Sequence, residues 1–193
     1  TLGLGGLSVT MPHKREVIEG LDRLSPEAAA LGAVNCIARD GSVLVGHNTD
    51  GEGLVSSLWH DTGVDGAGWR CVVVGAGGAA RSVVHALAAA GAAEVVVVNR
   101  TADRARSAAL LAGPVGHVGA PSAVVHADLV VNATSVGMGV AAADRALPLA
   151  ADLLRPSHVV VDLVYDPVDT GLLDAARAVG ARAVDGVGML VHQ

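Results

Sequence analysis

From Arg70 onward, runs of hydrophobic residues alternate with stretches of helical periodicity. The β-branched runs predict strands buried on both faces of a sheet, at Cys71–Val74, Glu94–Val98, Asp128–Asn132 and His158–Leu163, with Ala181–Val184 as a fifth. The helical stretches between them are Arg81–Ala90, Thr101–Ala112 and Asp169–Val179. Because strands and helices alternate at this spacing, the sequence predicts an α/β fold, a doubly wound parallel sheet with helices on both faces.

Residues 1 to about 50 follow a more mixed pattern of shorter elements. The predicted elements are, in order, a strand at Leu7–Thr10, a helix starting at Pro12, a helix capped by Ser25 with Pro26 in its first turn, a hairpin of Val34–Ala38 and Val43–Val45 around Asp40-Gly41, and a helical stretch from Asp50 through Leu58. The segment Asp61–Gly68 is rich in Gly and Asp and predicts a connector. The chain therefore divides into two regions of different pattern.

The composition narrows the class of protein. Of the 193 residues, 51% are hydrophobic and 17% are charged, which argues against disorder. No apolar stretch reaches the ~20 residues of a membrane span. The net charge of −6 and the lack of a Lys/Arg run argue against a nucleic-acid partner. Cys36 and Cys71 share no paired motif and the histidines show no ligand spacing, so we expect a cytoplasmic protein without a metal site.

Lys14 is the one lysine in the sequence, against twelve arginines. A single lysine in a chain that otherwise uses arginine is a candidate for a chemical role, the alternative being that it is present by chance. Asp50 supplies a carboxylate after Asn48-Thr49, and an amine and a carboxylate in one cleft form an acid/base pair. Spacing alone does not show that the two side chains meet. The alternative for each is a surface charge or a helix cap.

The segment Gly75-Ala76-Gly77-Gly78-Ala79-Ala80 follows a predicted strand and opens a predicted helix. It matches the dinucleotide-binding fingerprint of a Rossmann-like domain, with Ala at the third small position. The first Gly allows the tight turn, the second lets the backbone approach a pyrophosphate, and the helix N-terminus offers N–H groups to the phosphate. The alternative is a Gly-rich turn needed only for packing.

The end of the second strand bears on the choice between NAD and NADP. An NAD site usually places Asp or Glu there, on the ribose hydroxyl. Here the strand ends in Asn99-Arg100-Thr101 with Arg104 one turn on, and two guanidiniums suit a 2′-phosphate. We therefore expect NADP as the cofactor, the alternative being a solvated Arg pair at a helix start.

The third strand ends in Asn132-Ala133-Thr134-Ser135. Ligands of open α/β sheets bind beyond the carboxyl ends of the strands, so small polar residues here are candidate cofactor contacts. A helix cap is the alternative role for this segment.

Taken in order, these segments resemble the shikimate dehydrogenase family across nearly the whole chain. The segments that carry the resemblance are Ser8–Lys14, Gly32–Asn35, Asn48–Asp50, Gly75–Ala80, Asn99–Thr101, Asn132–Ser135, Asp162–Pro167 and Asp185–Gln193. The resemblance implies the reversible NADPH-dependent reduction of 3-dehydroshikimate to shikimate in aromatic amino-acid biosynthesis. Two alternatives are a quinate/shikimate dehydrogenase that uses NAD and a non-catalytic NADP-binding homologue.

The resemblance also implies roles for individual residues. Lys14 and Asp50 would form the catalytic pair. The substrate contacts would be Thr10, Asn35, Asp50, Tyr165 and Gln193. The cofactor contacts would be Gly75, Ala76, Gly77, Gly78, Ala79, Asn99, Arg100, Thr101, Arg104 and Thr134, with Leu163 and Gly186 bordering the nicotinamide.

The domain organisation implied by the resemblance is discontinuous. Residues 50–185 would form the Rossmann-like NADP-binding domain, and residues 1–49 with 186–193 a partial α/β substrate-binding domain. The family's N-terminal strand and helix with a Ser-x-Ser motif, and its closing helix, have no counterpart here, so we expect a longer natural protein. Ser8 and Cys36 stand where the family usually has Asn and Thr. The expected partners are a small-molecule substrate and, in a homodimer, a second copy of the chain, with no membrane.

Overall fold

The computed structural model describes residues 3–10, 12–139 and 145–193. Met11, which belongs to the Ser8–Lys14 segment, lies outside the described residues. The chain divides into two compact units, Thr1–Asp50 and Gly51–Gln193. Across the described ranges, no helix is both long enough and apolar enough to cross a membrane.

The first unit is built on a small mixed sheet. Its strands are β1 (Gly6–Ser8), β2 (Arg23–Leu24), β3 (Cys36–Asp40) and β4 (Val43–His47), in the order β1-β3-β4-β2. Strand β3 is antiparallel to both of its neighbours, and β2 is parallel to β4. Helix α1 (Pro26–Leu31) and a 3₁₀ helix at Glu16–Gly20 complete the unit.

Local turn and cap signals correctly predict much of this unit. Strands β3 and β4 form the predicted hairpin, and Gly41 adopts φ = 61° at its turn. The Ser25 hydroxyl accepts a hydrogen bond from Ala28 N at 3.2 Å, and Gly32 ends α1 in the left-handed conformation. The short strand is also present, although it spans β1 rather than Leu7–Thr10.

The helix predicted to start at Pro12 is wrong. Residues 12–15 form turns, and helical structure begins only with the 3₁₀ helix at Glu16–Gly20. Lys14 O accepts a hydrogen bond from Val34 N at 2.7 Å, and Ile18 N, its partner in an α-helix, donates to Arg15 O at 3.2 Å instead. Strand β2 was not predicted, because two residues carry no readable alternation.

The second unit contains a six-stranded, fully parallel sheet. Its strands are β5 (Arg70–Val74), β6 (Glu94–Val98), β7 (Gly116–Val118), β8 (Leu129–Asn132), β9 (Val159–Asp162) and β10 (Arg182–Val184), in the order β10-β9-β8-β5-β6-β7. Its helices are α2 (Asp50–Thr62), α3 (Gly78–Ala89), α4 (Ala102–Ala109), α5 (Gly171–Ala178) and α6 (Val187–His192). The strand order reverses between β5 and β8, so the predicted doubly wound Rossmann-like fold is confirmed.

Both faces of this sheet are covered by apolar side chains. Val73, Val97 and Val131 face one cluster, which also contains Val83 and Leu87 of α3. The alternate positions, including Val72, Val130 and Val160, belong to a second cluster with Leu172 and Ala176 of α5. Burial on both faces explains why the strands read as continuous valine runs rather than as alternating patterns.

Two predicted boundaries in this unit are corrected, and one strand was not predicted. Helix α3 begins at Gly78 rather than Arg81, inside the glycine-rich segment. The helix predicted for Thr101–Ala112 ends at Ala109, because a 3₁₀ segment broken at Gly113 and carrying Pro114 follows it. Edge strand β7 was missed, since it is three residues long and carries no apolar run. Further 3₁₀ helices lie at Pro121–His126 and Ala151–Leu153.

Candidate functional site

In the first unit, the side chains of Lys14 and Asp50 meet. Lys14 Nζ donates a hydrogen bond to Asp50 Oδ2 at 2.7 Å. The lysine side chain keeps 21% of its surface exposed, whereas the aspartate keeps 3%. The pair therefore consists of a partly exposed amine bonded to a buried carboxylate.

Asn35 occupies the other side of this carboxylate. Its Nδ2 donates to Asp50 Oδ1 at 2.7 Å and to Thr49 Oγ1 at 3.0 Å, and its Oδ1 accepts from Thr49 N at 2.9 Å. Asn35 is held in turn by its own backbone, since Asn35 N donates to His47 O and Asn35 O accepts from Val9 N. The hairpin of β3 and β4 thus fixes the amide that orients Asp50.

Asn48 bonds the backbone of Asp50. Its Oδ1 accepts from Asp50 N at 3.3 Å, and its Nδ2 donates to Ala33 O at 3.1 Å. Asn48 and Thr49 have no role predicted from the sequence, where they are only neighbours of Asp50. The available signal was three consecutive polar residues between a strand and a helix, which is where side chains commonly bond the backbone. Thr10, the remaining predicted substrate contact of this unit, is exposed.

In the second unit, the glycine-rich segment turns sharply at the carboxyl end of β5. Gly75 has φ = 115°, and its N–H donates to Val98 O at 2.8 Å. A Cβ on Gly75 would lie 2.8 Å from Ala133 O, so only glycine fits. A Cβ on Gly77 or Gly78 would meet nothing within 4 Å, which leaves the backbone at the start of α3 open to a ligand. Ala76 and Ala79 are half-buried within the same segment.

The tip of β6 presents cationic and neutral polar groups. Arg100, Thr101 and Arg104 are exposed, and Asn99 Nδ2 donates to Thr101 O at 3.0 Å. The nearby carboxylate of Asp103 is occupied by an ion pair with Arg106. The exposed guanidiniums at this tip are the kind of donors that a phosphate group requires.

The ends of β8 and β9 carry a buried polar network that the sequence did not reveal. Asn132 and Asp162 are paired in register, and Asn132 Nδ2 donates to Asp162 Oδ1 at 2.8 Å. Asp162 also accepts from Val164 N at 3.1 Å and, on Oδ2, from the Thr170 hydroxyl at 2.7 Å. Burial raises the pKa of the Asp162 carboxyl, and its hydrogen bonds from Thr170, Val164 and Asn132 oppose that rise. A single Asp at the end of a valine run was the available signal.

Thr134, a predicted cofactor contact, is held by this network. Asn132 Oδ1 accepts hydrogen bonds from Thr134 N at 3.0 Å and from Thr134 Oγ1 at 2.7 Å. Thr134 also lies beside the glycine turn, because a Cβ on Gly75 would be 3.1 Å from Thr134 Cγ2. The strand order reverses here, which is where open α/β sheets bind their ligands.

The remaining predicted contacts of this unit lie around the ends of β9 and β10. Leu163 and Gly186 adjoin, since a Cβ on Gly186 would lie 2.7 Å from Leu163 O. Tyr165 is 46% exposed, and Gln193 is exposed next to the carboxyl end of α6. Within the described part of the chain, no group of three or more His, Cys, Asp or Glu residues could hold a metal ion.

Comparisons with known proteins agree with the resemblance. The family model for the shikimate dehydrogenase substrate binding domain matches residues 1–37, and that for shikimate / quinate 5-dehydrogenase matches residues 61–167. Shikimate dehydrogenase (NADP(+)) of Moorella thermoacetica is 44% identical over 205 residues, covering 100% of this chain and 68% of that protein.

Two solved structures extend the comparison. Shikimate 5-dehydrogenase from Thermus thermophilus, in complex with NADP(H) and shikimate, superposes with a TM-score of 0.88 at 38% identity, covering 98% of this chain and 69% of that chain. The ligand-free 5-ketofructose reductase of Gluconobacter sp. strain CHM43 gives a TM-score of 0.87 at 39% identity, covering 97% and 69%. The match in sequence across the whole chain, together with the shared fold, shows that the chain belongs to the shikimate dehydrogenase family.

Proposed function

We propose that this chain catalyses the reversible NADPH-dependent reduction of 3-dehydroshikimate to shikimate, a step of the shikimate pathway of aromatic amino-acid biosynthesis. The observation that carries the proposal is the 2.7 Å contact between Lys14 Nζ and Asp50 Oδ2, an amine and a carboxylate 36 residues apart in the sequence. Relatives named shikimate dehydrogenase (NADP(+)) support both the activity and the cofactor.

Lys14 is proposed to handle the proton of the reaction. Bound NADPH would supply a hydride to the carbonyl carbon at C3, and the carbonyl oxygen would need a proton. The ammonium group of Lys14 donates that proton, and in the oxidation direction the neutral amine accepts it from the hydroxyl. Asp50 holds Lys14 Nζ in place, and Asn35 holds Asp50.

The substrate contacts remain proposals that the chemistry of the side chains supports. Thr10, Asn35, Asp50, Tyr165 and Gln193 offer hydroxyl, amide and carboxylate groups. Hydroxyl and amide groups can both donate and accept hydrogen bonds, which suits a substrate with several hydroxyls.

The cofactor contacts are proposed from the open backbone and the exposed cations of the second unit. The fingerprint residues Gly75, Ala76, Gly77, Gly78 and Ala79 would receive the pyrophosphate, and Asn99, Arg100, Thr101 and Arg104 the adenosine 2′-phosphate. Thr134, Leu163 and Gly186 would border the nicotinamide half.

The functional domains, the location and the assembly also stay predictions. Residues 50–185 are proposed to bind NADP, and residues 1–49 with 186–193 to bind substrate. These functional domains differ from the two compact units of the structure, because α6 lies in the second compact unit but in the proposed substrate-binding domain. We propose a cytoplasmic enzyme and a homodimer, which sedimentation velocity would test.

The experiment that tests the function follows nicotinamide absorbance with matched substrate and cofactor pairs. Shikimate and quinate are oxidised with NADP⁺ or with NAD⁺, and 5-ketofructose is reduced with NADPH or with NADH. We expect turnover with shikimate and NADP⁺ far above every other pair, because the β6 tip presents two exposed arginines and its one nearby carboxylate is paired.

Other outcomes would contradict parts of this proposal. Dominant turnover of quinate with NAD⁺ would favour the quinate alternative, and dominant reduction of 5-ketofructose would reassign the substrate. Clear NADP⁺ binding without turnover of any pair would favour the non-catalytic homologue. In that case the Lys14–Asp50 pair would have no catalytic role.

A further inference from the structure

Asp162 lies outside every predicted set of site residues, yet it is fully buried at the carboxyl edge of the sheet. Three hydrogen-bond donors converge on its carboxylate, from Asn132, Val164 and Thr170. A buried carboxylate is costly unless such donors satisfy it. The arrangement therefore joins the end of β8 to the end of β9 and to the start of α5.

The carboxylate determines which way the Asn132 amide faces. Asp162 Oδ1 accepts from the backbone N–H of Val164 as well as from Asn132 Nδ2, and an oxygen that accepts in this way requires the NH₂ side of Asn132 to point toward it. The oxygen side must then face Thr134, where it accepts from both the N–H and the hydroxyl of that residue. With the amide reversed, its NH₂ group would face Thr134. The N–H and the hydroxyl of Thr134 would then both lose their acceptor.

The residue oriented in this way lies at the crevice of the dinucleotide site. Thr134 and Ala133 pack against Gly75, the first glycine of the fingerprint, at the point where the strand order reverses. In a doubly wound sheet the adenosine half lies over the β6 side, and the nicotinamide half lies over the strands beyond the reversal. The loop after β8 is therefore on the nicotinamide side.

We propose that Asp162 is a positioning residue for NADP binding, acting through Asn132 to hold Thr134 in place beside the glycine turn. The inference rests on the proposed NADP site. It assigns to Asp162 an effect on the nicotinamide half of the cofactor and none on the adenosine 2′-phosphate half.

The test measures two affinities in each variant, for NADP⁺ and for adenosine 2′,5′-bisphosphate, which lacks the nicotinamide half. Asp162→Ala is expected to weaken NADP⁺ binding by about tenfold or more, which corresponds to about 1.4 kcal/mol per factor of ten. Its affinity for adenosine 2′,5′-bisphosphate should stay within about twofold of the wild-type value, because the β6 tip is untouched. Circular dichroism and thermal melting establish that each variant is folded at the assay temperature.

Three further variants separate positioning from general loss of structure. Asp162→Asn should restore NADP⁺ affinity to within about threefold, since its oxygen can still accept from Asn132 and its NH₂ can donate to the Thr170 hydroxyl. Thr170→Ala is the matched control, because it removes a bond to Asp162 of similar length and leaves the Asn132 bond in place. It should lower stability without weakening NADP⁺ binding more than about twofold.

The third variant, Asn132→Ala, should weaken NADP⁺ binding as much as Asp162→Ala does. The double variant with both substitutions should bind NADP⁺ no more weakly than either single variant. If Asp162→Ala does not fold, Asn132→Ala alone decides the matter by the same two affinities. The inference would be overturned if Asp162→Ala kept its NADP⁺ affinity, or if it lost affinity equally for NADP⁺ and adenosine 2′,5′-bisphosphate. Additive losses of NADP⁺ affinity in the double variant would also overturn it. A wild-type protein that binds neither ligand would instead contradict the proposed NADP site.

Discussion

The two carboxylate oxygens of Asp50 have different partners. Oδ2 contacts the amine of Lys14, and Oδ1 accepts from Asn35. The buried carboxylate therefore remains bonded by Asn35 when the lysine side chain is shortened, so the loss of Lys14 would not leave Asp50 wholly unpaired.

Lys14→Ala is accordingly expected to lower kcat by about 10²- to 10⁴-fold, the usual contribution of a general acid or base. NADP⁺ affinity should change little. Steady-state kinetics with shikimate and NADP⁺, together with a fluorescence titration of NADP⁺, measure the two quantities. The matched control is Arg23→Ala, which breaks an exposed ion pair with Asp40 in the same unit and should leave turnover unchanged. Unaltered turnover in Lys14→Ala would contradict the proposed acid/base pair.

Arg100 is expected to discriminate between the two nicotinamide cofactors. Arg100→Ala should raise the Kd of NADP⁺ by about tenfold or more, since a charge-assisted hydrogen bond contributes about 1.5–3 kcal/mol. The Kd of NAD⁺, which lacks the 2′-phosphate, should stay nearly constant. Arg177→Ala on α5 serves as the control, because that exposed arginine pairs with Asp169 and Asp174. Equal weakening of both cofactors would place Arg100 outside the 2′-phosphate site.

The turn between β5 and α3 contains two glycines in different environments. Gly75 has a positive φ and packs against the Ala133 carbonyl, whereas Gly77 has an extended backbone and open space at its Cβ position. A methyl group therefore acts on different properties at two positions of the same turn.

Gly75→Ala should lower the free energy of unfolding by about 1–3 kcal/mol, because the alanine would occupy a strained φ and crowd Ala133. Gly77→Ala should keep that free energy within about 1 kcal/mol of wild type while weakening NADP⁺ binding, because its methyl group enters the space above the fingerprint. Urea unfolding and NADP⁺ titration of both variants measure the two effects. Wild-type NADP⁺ affinity in Gly77→Ala would indicate that the turn serves packing alone.

Across the whole second unit, the two ends of the parallel sheet carry different polar groups. The candidate cofactor contacts and the Asp162 network lie at the carboxyl ends of the strands, whereas His158 precedes β9 at the opposite end. His158 is 1% exposed, and its Nδ1 accepts from Arg155 N at 3.1 Å. Burial, reinforced by the charge of Arg155 and opposed by Asp128, lowers the pKa of this imidazole.

The free energy of unfolding is therefore expected to fall as the pH drops below about 6.5, the ordinary pKa of an unfolded histidine. Below that pH the histidine of the unfolded chain binds a proton that folded His158 does not. The free energy of unfolding therefore decreases with falling pH until the pH reaches the lower pKa of the folded protein. The slope of this loss approaches at most about 1.4 kcal/mol per pH unit.

Urea unfolding of His158→Asn between pH 5 and 8 measures this contribution. The Asn oxygen can still accept from Arg155 N but does not titrate, so the variant should be less stable overall and show a flatter pH dependence. His117→Asn, at an exposed position on β7, is the control and should keep the wild-type slope. An unchanged slope in His158→Asn would assign the pH dependence to other groups.

Features encoded by neighbouring residues could be predicted without a structure. Valine runs identify the central strands because a strand covered on both faces has only apolar neighbours. The cap at Ser25, the hairpin turn at Gly41 and the glycine fingerprint at the end of β5 follow from backbone geometry that few other residues accept. The helix predicted at Pro12 failed because its competitor was distant, a hydrogen bond from Val34 to the Lys14 carbonyl.

Contacts between distant parts of the chain could not be predicted from periodicity or spacing. Lys14 and Asp50 are 36 residues apart, and Asn132 and Asp162 are 30 apart. Lys14 lies in a turn and Asp50 begins a helix, so their contact depends on how these elements pack. Asn132 and Asp162 meet because β8 and β9 pair in register, and a shift of one residue would turn each side chain to the other face. Sequence pattern therefore identifies the strands and the candidate charges. The packing of turns and helices decides which amine meets which carboxylate, and strand register decides which amide a buried aspartate holds.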